Sequence, residues 1–381
     1  MKKIGVVVHE LARTGSPIVG LSIARFLKEK GHSIHVFAKE GGSLATSDIF
    51  RGYTPIPLTV TNTGHTRRPK INRKLAQKKA KEALIPHSFD LLYVNSLAAA
   101  EWCLAANELG IPVFFHVHEL KPAIKELRRA GIFSFRFRPK LHGLIGASKE
   151  SVKIGAKTIA YKAGSPQLIL TSFVDLKELK TNAELEPPSA YTADGRQLEW
   201  QQTEYKPLIC MCGSAVYAKG VDIFWETAAL CPNYNFVWVG TFDIKDQPAN
   251  PIFSRFQKEQ LDNFFITGPI ENPASVFSRC EAMFLSTRQD SNPLVLLEAL
   301  GVQLPVIGFH QALGYAEVLK SFGMALPGKP NVEAIVGVLS EKKRLNKQRR
   351  NLSSQVTQMA LRKSISHQEK LQSLYDFLCE H

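Results

Sequence analysis

Residues 1–38 read MKKIGVVVHELARTGSPIVGLSIARFLKEKGHSIHVFA, and this stretch decides the fold. IGVVVH (4–9) is a short apolar run bounded by charge, the pattern of a buried strand. PIVGLSIARFLKEK then repeats apolar residues at helical spacing. Gly31 stands where a helix C′ glycine belongs, and HSIHVFA (32–38) reads as a second strand. Strand, helix, strand at such short range implies parallel pairing.

Outward from there the alternation continues. LLYVNS (91–96), IPVFFHVH (111–118) and HGLIGAS (142–148) are further strands, and segments such as AAAEWCLAANELG read as helices between them. The pattern stops from Thr181 to Lys206, where Pro187-Pro188 and Asp194-Gly195 interrupt a stretch with no sustained period. A second series follows, with PLICMCG, NFVWVG, NFFITGPI, EAMFLST and LPVIGF as strands. DIFWETAALC, ASVFSRC and PLVLLEAL are the helices between them. From about Ser340 the tail is polar and basic, ending in the amphipathic EKLQSLYDFLC. The expectation is an α/β protein of two doubly wound, Rossmann-like domains facing across a cleft. Their spans would be 1–180 and 207–360, with a linker or excursion at 181–206 and a C-terminal helix at 361–381 able to pack back on the first domain.

The 381 residues are 44% hydrophobic and 22% charged, which excludes a disordered or collagen-like chain. The net charge of +14 is uneven: residues 1–180 carry 29 Lys+Arg against 13 Asp+Glu, and residues 181–381 carry 19 against 21. After Lys2-Lys3 the apolar run ends at His9 and Glu10, too early for a secretory h-region, and no stretch is apolar enough to span a membrane. A cytoplasmic chain, with peripheral contact at the inner membrane face as an option, is the expectation. Cys210 and Cys212 lie in the apolar LICMC and read as core packing, because no second Cys/His pair stands at zinc spacing.

Two loops are candidates for phosphate chemistry. In ELARTGSP, Ser16 can N-cap a helix with Pro17 at N1, which is either an ordinary capped helix or one whose free amides near Gly15 and Ser16 face an anion. A nicotinamide site competes, with Glu40 near the place of its ribose-binding acid, but TGSPIVG lacks the G-x-G-x-x-G spacing. In CGSAVYAKGVDIF, Lys219 precedes Gly220 and a helix, where it either neutralises a phosphate or is a solvated loop lysine.

The segment STRQDSNPLVLLEALG (286–301) is the most informative. Asn292 and Pro293 can start a helix that Gly301 stops. That helix is apolar almost all round and should be buried, so its one carboxylate, Glu298, needs donors. A ribose diol or a structural salt bridge would each supply them. Asp290 lies just outside the helix, where the dipole favours an anion or sugar hydroxyls.

An acid, seven residues and a Glu running into EALGVQLPVI resembles the E-x7-E pattern of retaining glycosyltransferases of family 4, on the GT-B fold. GSPIVGLSIARFLKEKGHSIHVF, the HVHE strand end, ASKES and the KGVDIF loop fall in the same order as in that family. The resemblance implies that Glu298 holds the nucleotide ribose, and that Asp290 with Ser291, Asn292, Pro293, Leu294 and Val295 holds the donor sugar. It further implies that Lys219 grips the diphosphate with the amides near Gly15 and Ser16, and that His118 contacts the sugar near the reacting carbon. Asp290 replaces the commoner Glu, and Ser214 stands in the donor site where many members have Arg. The co-substrate implied is a UDP- or GDP-sugar with no cofactor. His116 and His118, with Glu119 adjacent, form a strand-end pair without an identified third zinc ligand, the chain has no D-x-D sequence, and the family pattern is metal-independent.

The basic half then needs a partner. Arg67, Arg68, Lys70, Arg73, Lys74, Lys78, Lys79 and Lys81 form one cluster; Lys121, Lys125, Arg128, Arg129, Arg136, Arg138 and Lys140, interleaved with Phe133, Phe135 and Phe137, form another. A solvated face, nucleic acid or an anionic membrane surface would each fit such charge. No nucleic-acid recognition motif accompanies it. The preferred expectation is a lipid-linked or phosphorylated glycan acceptor, in cell-surface polysaccharide or glycolipid synthesis. The alternative is a catalytically silent GT-B-like protein that binds anionic polymer or lipid.

Overall fold

In the computed structural model, residues 1–46, 56–57, 69–200, 206–242, 255–256 and 258–381 are described. Among them the chain forms two parallel sheets. The first holds β1 (Lys3–Glu10), β2 (Ser33–Glu40), β3 (Ile56–Pro57), β4 (Leu91–Asn95), β5 (Val113–Val117), β6 (Gly143–Gly146) and β7 (Gln167–Ile169), in the order β3-β2-β1-β4-β5-β6-β7. The second holds β8 (Leu208–Cys212), β9 (Asn235–Val239), β10 (Phe264–Gly268), β11 (Ala282–Leu285), β12 (Val306–Phe309) and β13 (Met324–Leu326), in the order β10-β9-β8-β11-β12-β13. Every strand pairing is parallel.

The strands read as continuous apolar runs because helices cover both faces of such sheets. β4 and β5 are buried along their whole lengths. In the second sheet Phe224 stacks edge-on against Phe236, Trp238 and Phe264, which places an aromatic core between the helix Val221–Leu230 and the strands. Burying each ring stabilises the fold by about 1.5–3 kcal/mol.

The chain divides into two units, Met1–Ser172 with Gln368–His381, and Phe173–His367. The crossing therefore comes at 172/173, where the periodicity suggested 180/181. The helix Leu176–Ala183 belongs to the second unit, where Gly301 lets it approach the helix Leu294–Gly301: a Cβ there would meet Leu179 Cδ2 at 2.4 Å. Nor is 181–206 simply a linker. Tyr191 exchanges both backbone hydrogen bonds with Ile266 of β10, and Leu198 donates to Ala190, so this segment borders the second sheet. Residues 201–205 lie outside the described residues.

The tail from Ser340 is helical at Lys342–Ser353, Gln355–Ile365 and His367–Glu380. The last of these joins the first unit. Phe377 packs edge-on to Phe114, over Gly143, where a Cβ would come within 2.6 Å of the ring. Lys370 Nζ donates to the Ser172 carbonyl at 2.7 Å, and burial lowers its pKa to about 8. No helix among the described residues is long and apolar enough to cross a membrane.

Candidate active site

Each sheet reverses its strand order once, between β1 and β4 in the first and between β8 and β11 in the second. At such a reversal the loops after the two strands part in opposite directions and leave a crevice, the usual ligand site of an open α/β sheet. Gly15, Ser16, Lys219 and Asp290 fall on or beside these loops, whereas His118 follows β5 and Glu298 lies within the helix Leu294–Gly301.

In the second unit, β8 leads through Gly213 and Ser214 to a turn at Tyr217–Lys219, and β11 leads into residues 286–292. Gly220 closes the turn with φ +67°, and a Cβ on it would lie 2.1 Å from the Ser286 carbonyl oxygen. Left-handed geometry and backbone contact together require glycine here. Ser286 Oγ donates to the Lys219 carbonyl at 2.8 Å, and Thr287 Oγ1 donates to that of Ala218 at 3.0 Å. The turn is thereby fixed to the end of β11.

Lys219 then reaches Asp290, with Nζ 2.5 Å from Oδ2. The other carboxylate oxygen accepts the Asn292 backbone N–H at 3.1 Å. The Asp290 backbone is held on both sides, donating to Ala312 at 2.9 Å and accepting from Gly314 at 2.7 Å. An ammonium and a carboxylate, both partly exposed, are thus fixed at the reversal point, next to the helix Leu294–Gly301.

Local details differ from the sequence reading. Pro293, with ψ 118°, occupies the N-cap, so the helix starts at Leu294; Asn292 contributes its backbone N–H to Asp290 and does not cap. Gly301 is the last helical residue, and Gln303 (φ +64°) takes the left-handed position beyond it. Glu298 is buried, 8% exposed, as are Asn292 and Leu294, while Ser291 and Val295 are partly buried and Ser214 is exposed.

Spacing gave no sign of Arg288. Its guanidinium takes both oxygens of Asp222, at 2.7 and 2.5 Å, donates to the Tyr217 carbonyl at 2.8 Å, and lies 3.8 Å from the Tyr217 ring centroid. Such a bidentate, stacked arginine is a clamp. It secures the Lys219 turn to the first turn of the helix Val221–Leu230. Hydrogen bonding and the charge of Asp222 outweigh burial and raise its pKa, so it is cationic throughout.

In the first unit, the loop after β1 enters the helix Gly15–Glu29. Thr14 stands at the N-cap, where Ser16 was expected: Thr14 is extended (φ −115°, ψ 160°), and its hydroxyl donates to Glu10 at 2.8 Å rather than capping. Among the described residues no side chain caps this helix end, so its first amides stay available near an exposed Gly15.

Ser16 is tied to β4. Asn95 Nδ2 donates to the Ser16 carbonyl at 2.8 Å and to its Oγ at 2.9 Å. A carbonyl only accepts, so Asn95 Oδ1 must face His118 Nε2, 2.8 Å away, and His118 must carry its proton on Nε2. Its Nδ1 is left with a lone pair. The His116 ring stacks on His118 at 4.0 Å, and Tyr93 Oη lies 2.6 Å from His116 Nδ1. Burial, and then the charge of His9, lower the His118 pKa to about 3; burial, and then His118, push His116 well below its usual value. Both rings are neutral at physiological pH. Glu119 turns away from the imidazoles and accepts from Ser96 Oγ and from the backbone of Leu97 and His118. Among the described residues, no group of three or more His, Cys, Asp or Glu side chains is placed to hold a metal ion.

Of the basic residues, Arg67 and Arg68 lie outside the described residues, as does the Lys70 side chain. Arg73, Lys74, Lys78 and Lys79 ride on the helix Pro69–Leu84. Arg128 and Arg129 close the helix Lys121–Arg129, and Arg136 and Arg138 follow it on an exposed loop.

Comparison with known proteins agrees with this architecture. Residues 197–359 match the family model "Glycosyl transferases group 1", and residues 14–152 match "Glycosyltransferase Family 4". No curated protein sequence matches. Among solved structures, HepE of Anabaena, seen with UDP and glucose and with UDP-glucose, has a TM-score of 0.72 at 14% identity, with 100% of both chains covered. Sucrose-phosphate synthase of Thermosynechococcus elongatus has a TM-score of 0.68 at 12% identity, covering 100% of this chain and 99% of that one. WaaG, a glycosyltransferase of lipopolysaccharide biosynthesis, has a TM-score of 0.66 at 15% identity over 96% of this chain and 100% of its own. With two strand-order reversals, matched models on both units and neighbours of this architecture, the chain belongs to the group 1, family 4 glycosyltransferases of the GT-B fold.

Proposed function

We propose that the protein transfers a sugar, with retention and without a metal ion, from a nucleotide diphosphate to an acceptor hydroxyl. UDP is the favoured nucleotide, because HepE binds UDP and UDP-glucose. The observation that carries the reading is Lys219, fixed on the obligatory Gly220 turn and paired with Asp290 at the β8/β11 reversal. Lys219 neutralises the diphosphate, and Asp290 with the 291–295 backbone receives the sugar hydroxyls. Glu298 accepts from the ribose. By the family resemblance, the amides of Gly15 and Ser16 act on the diphosphate, and neutral His118 acts on the sugar.

In the reaction the bond from the anomeric carbon to the phosphate oxygen breaks, and the acceptor oxygen bonds that carbon on the same face. The acceptor proton passes to the departing phosphate oxygen. Lys219 stabilises the charge that develops there, a pre-organised electrostatic contribution. The basic first unit takes a phosphorylated or lipid-linked glycan acceptor, in cell-surface polysaccharide or glycolipid synthesis, at the cytoplasmic face of a membrane.

A panel of nucleotide sugars in a thermal unfolding assay tests this. The true donor at 100 times its Kd adds about 2.7 kcal/mol of stability. Glu298→Ala and Lys219→Ala should each abolish most of the shift and most of the turnover while the protein stays folded. Full activity in both variants overturns the assignment.

A further inference from the structure

The first unit carries a second feature, apart from its strand ends. Between the helices Lys121–Arg129 and Lys149–Ile159 lies a cavity of about 770 Å³. Lys121, Lys125, Arg128, Arg129, Lys153 and Lys157 line it, against a single acid, Glu150. Among the described residues none of these six cations is in an ion pair, whereas Lys81 of the other basic run bonds Glu108 and Lys78 approaches Glu82. Arg128 Nε is buried with no hydrogen-bond partner among the described residues, beside a lining that otherwise repels cations. Leaving such a donor unmet is costly unless an acceptor arrives from outside.

The rim is apolar as well as basic. Phe135, also in the lining, is 75% exposed, and the Arg128 guanidinium sits 4.5 Å from its ring centroid. Ile124 and Ile154 form the buried floor. A soluble polyanion would meet the cations but leave the ring in water. The head-group layer of an anionic bilayer meets both, because phosphates enter among the cations while an aromatic ring settles at the interface.

We propose that this groove docks the protein on a bilayer rich in anionic phospholipid, with lipid phosphate at Arg128 and its lysine neighbours and Phe135 in the interfacial layer. The inference deepens the membrane-facing acceptor reading above and rests on it. It assigns the contact to residues 121–158 and not to the run at 67–81.

The test is co-sedimentation of the full chain with vesicles of phosphatidylglycerol and phosphatidylcholine, against phosphatidylcholine alone, with UDP binding measured on the same samples. The wild type should bind the anionic vesicles and not the neutral ones. Lys125→Gln/Lys153→Gln/Lys157→Gln, at three exposed positions, should weaken vesicle binding about 100-fold or more. Lys74→Gln/Lys78→Gln/Lys79→Gln, which removes the same charge, should change it by less than about 3-fold. Phe135→Trp should show a blue-shifted emission only with anionic vesicles. UDP binding should be equal in all of these proteins. Absence of vesicle binding by the wild type overturns the proposal, as does equal loss in the two triple variants. Stronger capture by soluble inositol hexakisphosphate than by vesicles also overturns it, in favour of a soluble polyanion. Loss of UDP binding in the wild type, with vesicle binding intact, overturns the transferase reading and leaves the docking site standing.

Discussion

The two strand-order reversals occupy equivalent places in their sheets but are furnished in opposite ways. The first unit carries 28 Lys+Arg against 14 Asp+Glu, hence the whole net charge of +14, yet at its reversal point the linked side chains of Ser16, Asn95, His118 and His116 are neutral and the neighbouring charges, Glu10 and Glu119, are acidic. The second unit carries 20 against 20 and is neutral overall, yet its reversal point holds two ion pairs, Lys219–Asp290 and Arg288–Asp222. Net charge therefore does not locate phosphate chemistry here. In the reading proposed above, a diphosphate would be met by one fixed lysine and its clamp, and the large positive excess of the first unit would serve another partner.

The contrast can be broken most sharply at Lys219. Lys219→Ala should lower turnover by about 10²–10³, since one pre-organised donor to developing charge has that worth. Steady-state kinetics checks this, and the thermal midpoint should barely move. Asn95→Ala comes next. It frees the His118 tautomer and detaches Ser16 from β4, so kcat should fall roughly 10-fold, with KM less affected.

Gly220→Ala reads the frame rather than the charge. A left-handed backbone and the contact with Ser286 should together cost more than about 1 kcal/mol in unfolding free energy. Arg288→Lys should also fail to restore the clamp, raising the donor KM several-fold, because an ammonium can neither fork onto Asp222 nor stack on Tyr217.

The first unit's reversal point is read by pH-dependent stability. His118 and His116 have lowered pKa values when folded, so below the ordinary value of 6.5 the unfolded chain binds protons that the native chain refuses. Their contribution is complete above 6.5 and is lost progressively as pH falls below it, for His118 down to about 3, at up to about 1.4 kcal/mol per pH unit for each ring. Urea titrations at pH 7, 6 and 5 should show the decline, and His116→Phe should flatten it.

Much of this was legible in the sequence, for a physical reason. Buried parallel strands must be apolar end to end, so IGVVVH, LLYVN and LICMC announce themselves, and Lys219-Gly220 stands out because glycine there has a steric cause. Interactions between distant residues were not legible. Nothing local pairs Arg288 with Asp222, or Asn95 with Ser16; each pair meets only because strand order reverses between them. Capping was misjudged where a better partner existed, as when Thr14 bonded Glu10 and left Ser16 to Asn95. The unit boundary was misplaced because the helix Leu176–Ala183 follows the first series in sequence but packs on the second unit through Gly301.

The central claim is that nucleotide binding belongs to the neutral second unit and is set by Lys219. Isothermal titration of UDP into three proteins tests it most directly: the wild type, Lys219→Ala, and Lys125→Gln/Lys153→Gln/Lys157→Gln. The account predicts equal affinity in the wild type and the groove variant, and a loss of about 100-fold in Lys219→Ala. Undiminished UDP binding by Lys219→Ala, or loss of UDP binding in the groove variant, would contradict it.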